Sequence, residues 1–145
     1  MTAAGDTLLI VFVIVVLAVL SWRDLRARVI PNRIVLPAWT IVLVSQVVLH
    51  PGHWDEWLIA SGVAAAVFFV PALVYPEGLG MGDVKLVGLI GAALGYAVLN
   101  GLLVGTALAG LFAAALLLRY GSGARRVTFP YGPFLAAGAV VVLLV

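Results

Sequence analysis

An acidic residue, Asp83, follows the glycine-rich stretch 78–82 (GLGMG) and opens a long apolar segment. A carboxylate at the edge of a hydrocarbon layer is costly to desolvate, so we take Asp83 as a candidate functional residue. Gly80 and Gly82 lack Cβ atoms, so they permit positive φ and the close approach of another backbone, which suits a peptide substrate. The alternative is a helix-entry loop in which Asp83 is an ordinary N-cap.

A second acid, Asp24, begins a polar segment that ends in Ile30-Pro31-Asn32. Two carboxylates that meet at a partly dehydrated interface can act as a dyad, one ionised to activate water and one protonated to polarise the scissile carbonyl. Repulsion between the charges makes such a pair share a single proton near neutral pH. This chemistry hydrolyses a peptide bond without a metal or a cofactor, so neither is expected. The alternative for Asp24 is an ion pair with Arg23, Arg26 or Arg28.

The loop 50–56 also carries potential metal ligands, namely His50, His53, Asp55 and Glu56. They match no ligand-spacing template, so no metal site is expected there. Lys85 stands two residues beyond Asp83, and residues two apart on a helix do not face each other. An anchoring role for Lys85 at the cytoplasmic surface is therefore favoured over a partnership with Asp83.

The composition indicates an integral membrane protein. Of the 145 residues, 65% are hydrophobic and only 10% are charged, with a mean hydropathy of +1.25, whereas an ordinary soluble domain is about 25% charged. No polar stretch is long enough for a second, soluble domain, so residues 1–145 are expected to form one membrane-embedded domain. The absence of cysteine excludes disulfides, thiolate zinc sites and a cysteine nucleophile.

Apolar runs predict an all-α, polytopic fold with about six transmembrane helices, each close to the ~20 residues that a bilayer requires. Basic residues follow the first run and do not precede it, so this run is expected to be a retained span and not a signal peptide. Pro31 disfavours helix at Ile30 and separates the first two spans. Pro71 predicts a kink near the end of the third. The predicted spans are Thr7–Trp22, Ile34–Leu49, Trp57–Tyr75, Val84–Leu99, Gly101–Leu118 and Phe129–Val145.

The distribution of basic residues predicts the orientation of these spans. Lys and Arg concentrate in cytoplasmic loops, and all eight lie in the connections 23–33, 76–85 and 119–126. With both termini outside, these three connections are cytoplasmic, and the opposite side carries no Lys or Arg. Asp24 and Asp83 then lie at the inner ends of spans one and four, on the same membrane face.

Three segments of the chain resemble, in order, the motifs of the type IV prepilin peptidases, membrane aspartic proteases with a Gly-x-Gly-Asp signature. The first is residues 24–32 (DLRARVIPN), an acid followed at fixed spacing by Ile-Pro-Asn. The second is residues 80–86 (GMGDVKL), and the third is residues 129–135 (FPYGPFL) before the last span. Together they extend from the end of span one to span six and are specific as a set.

The resemblance implies that Asp24 and Asp83 are the catalytic pair, with Gly80, Met81 and Gly82 as the active-site loop. It implies that the substrate is the leader of a pilin-like precursor, cleaved on the cytoplasmic side of the cell membrane. Many bacterial members carry an added methylating region, often with a cysteine-rich metal motif, so this chain resembles the minimal, peptidase-only form. In the third motif a structural role is expected, in which Pro130 and Pro133 set the entry angle of span six and Gly132 permits the turn.

Two other classes of protein remain open. An ion-coupled transporter also places acids in membrane helices, although usually near the midplane at broken helices, and a non-catalytic component of a pilus or secretion assembly needs no paired acids. The expected partners are a pilin-like precursor and the lipid bilayer, with no nucleic acid, and the oligomeric state is left open.

Overall fold

The computed structural model of the protein describes residues 3–76, 80–126 and 131–145, and within these ranges all regular secondary structure is helical, without strands. The predicted all-α class is therefore confirmed. Two predicted features fall partly outside these ranges, the glycine-rich stretch at residues 78 and 79 and the third motif at residues 129 and 130. The helices are α1 (Ala3–Ala27), α2 (Asn32–Leu49), α3 (Trp54–Val74), α4 (Met81–Leu94), α5 (Val98–Tyr120) and α6 (Gly132–Leu144).

Four helical stretches are long and apolar enough to cross a membrane, as expected for a multi-pass membrane protein: Ala4–Ala27, Asn32–Leu49, Pro51–Val74 and Met81–Gly123. The last of these contains both α4 and α5, which a short 3₁₀ turn at Gly95–Ala97 separates. Helix α4 has 14 residues and α6 has 13, fewer than a bilayer-spanning helix usually needs. Six crossings with both termini outside stay a prediction.

Helix α1 continues beyond its predicted end, so Asp24 is helical, whereas the sequence placed it in a polar loop. Arginine is a good helix former, and Arg26 in the last turn interacts favourably with the helix dipole. The helix ends where Arg28 takes the left-handed conformation, with φ of 53°. Helix α2 then begins directly after Pro31, which is its N-cap and confirms the predicted break.

Helix α4 forms the centre of the bundle, and ten of its residues are buried. It packs against α2, α3 and α6. A Cβ at Gly88 would overlap the ring of Trp39, and a Cβ at Gly91 would lie 2.8 Å from the carbonyl oxygen of Ala60, so small residues allow these helices to approach closely. Hydrogen bonds also join α2, α3 and α4. Trp39 Nε1 donates to Ser61 Oγ at 2.7 Å, and Ser61 Oγ donates to the carbonyl of Gly88 at 2.9 Å.

The packing of α6 against α1, α4 and α5 brings several helix ends together. The end of α1 and the starts of α2, α4 and α6 lie at one end of the bundle, where Asp24, Asn32, Asp83 and Gly132 are found. The opposite end contains the start of α1 and the loop between α2 and α3, joined by a contact of 3.3 Å between Nε2 of His50 and Oδ1 of Asp6.

Candidate active site

A cavity of ≈ 240 Å³ lies at the end of the bundle where α1 ends and α4 begins. Two chain segments form it, residues 24–32 and 80–85, and they contain the first two sequence motifs. Polar and charged groups make up much of its wall, although the surrounding helices are strongly apolar. The lining residues are Asp24, Arg28, Val29, Ile30, Asn32, Gly80, Gly82, Asp83 and Lys85.

Asp24 projects from the last turns of α1 and is only 7% exposed. Its Oδ2 atom accepts a hydrogen bond of 3.1 Å from the backbone N–H of Gly132, at the start of α6. The positive charge of Arg28 also attracts this carboxylate. Of the three arginines considered as ion-pair partners of Asp24, Arg28 therefore does interact with it electrostatically. By contrast, the guanidinium group of Arg26 lies over the ring of Trp22, 4.8 Å from its centroid.

Asp83 lies in the first turn of α4, but it is not the N-cap. Gly80 is the N-cap, with extended backbone angles, and its carbonyl oxygen accepts a hydrogen bond of 3.2 Å from the N–H of Asp83. The alternative of Asp83 as an ordinary N-cap is therefore wrong. Its carboxylate interacts favourably with the backbone N–H of Gly80 and is close enough to Asp24 for the two negative charges to repel each other.

Gly80 and Gly82 do not take the positive φ that glycine permits. Gly80 has φ of −82°, and among the described glycines only Gly95 and Gly121 have positive φ. The expected close approach at Gly82 is present, because a Cβ at this position would lie 3.0 Å from the Cβ of Ile30. Gly82 thus allows the start of α4 to pack against the Ile-Pro-Asn segment of the first motif.

Substitution at Gly82 is expected to impair the site in proportion to the size of the new side chain. Gly82→Val should abolish most activity, since its methyl groups would push Ile30 and the start of α4 apart, whereas Gly82→Ala should be partial. The measurement is precursor cleavage per amount of inserted, detergent-extractable protein. Gly62→Ala is a matched control, because a Cβ there meets no atom within 4 Å. Near-full normalised activity of Gly82→Val would show that this packing does not matter for the site.

Lys85 is part of the cavity wall, which the sequence did not indicate. Its Nζ atom donates a hydrogen bond of 2.6 Å to Oδ1 of Asn32, the last residue of the first motif. This bond joins the first turn of α2 to the first turns of α4 and thereby links the segments that follow Asp24 and surround Asp83.

The third motif contributes two contacts that sequence reasoning missed. The backbone of Gly132 binds Asp24, and a Cβ at this glycine would lie 2.5 Å from the same carboxylate oxygen. The pKa of Tyr131 is raised by burial and by the negative charge of Asp83. Its hydroxyl group can donate a hydrogen bond close to Asp83. The one sequence signal that pointed toward these contacts was the position of the motif directly before span six.

The potential metal ligands of the loop 50–56 do not come together. His50 pairs with Asp6, and one carboxylate oxygen of Glu56 accepts a bond from the backbone N–H of Tyr96 at 3.3 Å. Within residues 3–76, 80–126 and 131–145, no group of three His, Cys, Asp or Glu side chains could hold a metal ion.

Fold and site together define a helical, multi-pass membrane protein with two aspartates in one cavity at a bundle end. The sequence profile of the type IV leader peptidase family matches residues 11–118. The chain belongs to this family.

Named relatives agree with this assignment. The chain is 33% identical over 127 residues to the "Leader peptidase HopD" of Escherichia coli, a match that covers 82% of this chain and 81% of that protein. It is 27% identical over 128 residues to the "Prepilin leader peptidase/N-methyltransferase" of Bacillus subtilis, a match that covers 88% of this chain and 52% of that protein. The protein of the same name from Pseudomonas putida is 32% identical over 140 residues, and that match covers 88% of this chain and 46% of the relative. The chain thus spans about half the length of these two relatives, and no solved structure matches it.

Proposed function

We propose that the protein is an aspartic endopeptidase that removes the leader peptide of type IV pilin-like precursors. The observation that carries the proposal is the shared cavity, into which α1 brings Asp24 and the start of α4 brings Asp83. Membership of the leader peptidase family supplies the substrate class. The proposal concerns the peptidase step alone.

The proposed reaction uses the two carboxyl groups as one unit that holds a single proton. The ionised carboxylate takes a proton from a water molecule as its oxygen attacks the scissile carbonyl carbon, while the protonated carboxyl group donates to the carbonyl oxygen. The tetrahedral intermediate then collapses: as the C–N bond breaks, the carboxyl group that took a proton from water gives it to the leaving amine, and a hydroxyl group of the intermediate returns a proton to the other carboxylate. The N–H of Gly132 fixes the orientation of Asp24 during these steps, and the Lys85–Asn32 bond joins the two segments of the cavity wall.

The test is cleavage of a purified pilin-like precursor by the purified full-length chain in detergent or liposomes. We expect release of the leader at a single bond, and we expect EDTA and phenanthroline to leave the rate within about twofold, because the dyad produces its nucleophile without a metal. An intact precursor after prolonged incubation would contradict the proposal. Inactivation by the chelators that added zinc reverses would instead favour a metal enzyme.

We also propose that the cavity faces the cytoplasm of a cell in whose membrane the protein is inserted. The basic residues of the connections 23–33 and 119–126 support this orientation. A cysteine introduced at Asp55 should react with an impermeant maleimide in intact cells, and one at Ser122 should react only after permeabilisation. The natural chain has no cysteine, so it should not react with the maleimide and serves as the control. The reverse pattern of labelling would place Asp24 and Asp83 on the outer face.

A further inference from the structure

A second cavity, of ≈ 190 Å³, lies at the opposite end of the bundle from the two aspartates. Residues from the start of α1, the end of α2, the start of α3 and the ends of α4 and α6 line it. Its polar lining consists of Asp6, Gln46, His50 and Trp57, and the remaining wall is aliphatic. None of these residues lines the cavity of Asp24 and Asp83, so the proposed peptidase reaction does not use them.

Three buried polar atoms on the wall of this cavity have no hydrogen-bond partner among the residues that the structure describes. They are Oε1 of Gln46, Nδ1 of His50 and Nε1 of Trp57. Gln46 is only 6% exposed, and its Nε2 atom donates to the carbonyl of Ala93 at 3.1 Å, which fixes the amide orientation and leaves Oε1 as an acceptor. Buried polar groups in folded proteins are nearly always paired, so three unpaired atoms around one cavity indicate a missing partner.

The chemistry of the lining specifies a partner that mainly donates hydrogen bonds. Nε2 of His50 lies 3.3 Å from Oδ1 of Asp6, so Nε2 carries a hydrogen, and in the tautomer with a single N–H the Nδ1 atom is an acceptor. Gln46 Oε1 is a second acceptor, and the Asp6 carboxylate adds a negative charge. Trp57 Nε1–H is the single unpaired donor among the three atoms, and its ring lies 5.5 Å from the His50 ring, where a cation could also contact an aromatic face.

We propose that this cavity binds a small primary ammonium group with a neighbouring oxygen atom, as in 2-aminoethanol. The three N–H bonds of the ammonium group match Gln46 Oε1, His50 Nδ1 and the Asp6 carboxylate, and the oxygen accepts from Trp57 Nε1. The cavity is several times the ~30 Å³ share of one water molecule, so it has room for such a group. The same chemistry occurs in a free amino alcohol and in the headgroup of phosphatidylethanolamine.

The test is isothermal titration calorimetry of the purified protein in detergent with three small probes. Ethanolamine should bind, choline should not because it lacks N–H donors, and ethylene glycol should not because it lacks the charge. Asp6→Asn and Trp57→Phe should each weaken ethanolamine binding by about tenfold, as expected for the loss of a hydrogen bond that involves a charged group. Asp55→Asn removes a nearby exposed acid outside the cavity and should bind like the natural chain.

Lipid arms of the experiment distinguish the two sources of the ligand. Retention of phosphatidylethanolamine over phosphatidylcholine in native mass spectrometry, lost in Asp6→Asn, would assign the site to a lipid headgroup. Ethanolamine binding without that preference would assign it to a free amine. Absence of ethanolamine binding to the natural chain, equal binding of choline, or undiminished binding by Asp6→Asn would overturn the proposal and leave a water-filled cavity. The comparison of the three probes uses the natural chain, so this part of the test does not depend on the folding of a variant.

Discussion

Asp24→Asn and Asp83→Asn are each expected to lower the rate of leader cleavage by about 10²- to 10⁴-fold, the usual contribution of general acid–base catalysis. An amide has nearly the shape of a carboxyl group, but it can neither take a proton from water nor supply one to the scissile carbonyl. Because the two side chains line one cavity and would act as a unit, the double variant should be little worse than either single variant. The measurement is initial cleavage rate per amount of inserted protein.

Asp55→Asn is the matched control for the dyad variants, because Asp55 is an exposed acid in the first turn of α3 and lines neither cavity. It should retain full activity. Turnover close to that of the natural chain in Asp24→Asn or Asp83→Asn would remove that residue from the proposed catalytic pair. Multiplicative effects in the double variant would argue for two separate functions.

Gly132→Ala is expected to lower cleavage by about 10²-fold, as a displacement of reacting groups by roughly 1 Å can do. A Cβ at this position would lie 2.5 Å from Oδ2 and 3.3 Å from Cγ of Asp24, so the carboxylate must move. The backbone N–H would remain, but the hydrogen bond of 3.1 Å that now orients Asp24 would be distorted. The protein should still insert, since the change adds a single methyl group at the first residue of α6.

The control for this variant is Gly110→Ala in α5, where a Cβ meets no atom within 4 Å. It should be fully active and slightly more stable, because alanine favours helix over glycine. Gly105→Ala is a second comparison, since its Cβ would lie 2.8 Å from the carbonyl oxygen of Phe134. It should reduce the yield of folded protein while the surviving molecules keep their specific activity. Equal normalised activities of Gly132→Ala and Gly110→Ala would show that Gly132 does not position Asp24.

The helices were largely predictable, because apolar runs and prolines act locally. Pro31 marked the start of α2, and each predicted span corresponds to one helix of the described chain. The end of α1 was not predictable from the same signals, since Arg23, Asp24 and Arg26 are equally compatible with a polar loop and with a helix end. Which one forms depends on the packing of Asp24 against α6, a contact between residues far apart in the sequence.

The two acidic residues of the site could be predicted from the sequence, but the groups that orient them could not. The Gly-x-Gly-Asp spacing drew attention to Gly82, but the sequence could not distinguish a need for positive φ from a need for space, and only the position of Ile30 decides between them. The bond between Lys85 and Asn32 and the contact between Gly132 and Asp24 likewise depend on how helices α1, α2, α4 and α6 are arranged in space. No local pattern in the chain encodes those distances.

The shortness of α4 has a consequence for how hydrolytic water reaches the proposed site. A helix of 14 residues is about 21 Å long, whereas the hydrocarbon layer is ~30 Å thick. The longer neighbouring helices determine the depth of the bundle, so at least one end of α4 lies below the lipid surface. Irregular backbone at such depth is stable where it borders a hydrated cavity, and Gly80 at the start of α4 borders one. The short helix thereby lets a recess of solvent extend inward to Asp83, so that water can reach a peptide bond at the membrane without passing through lipid.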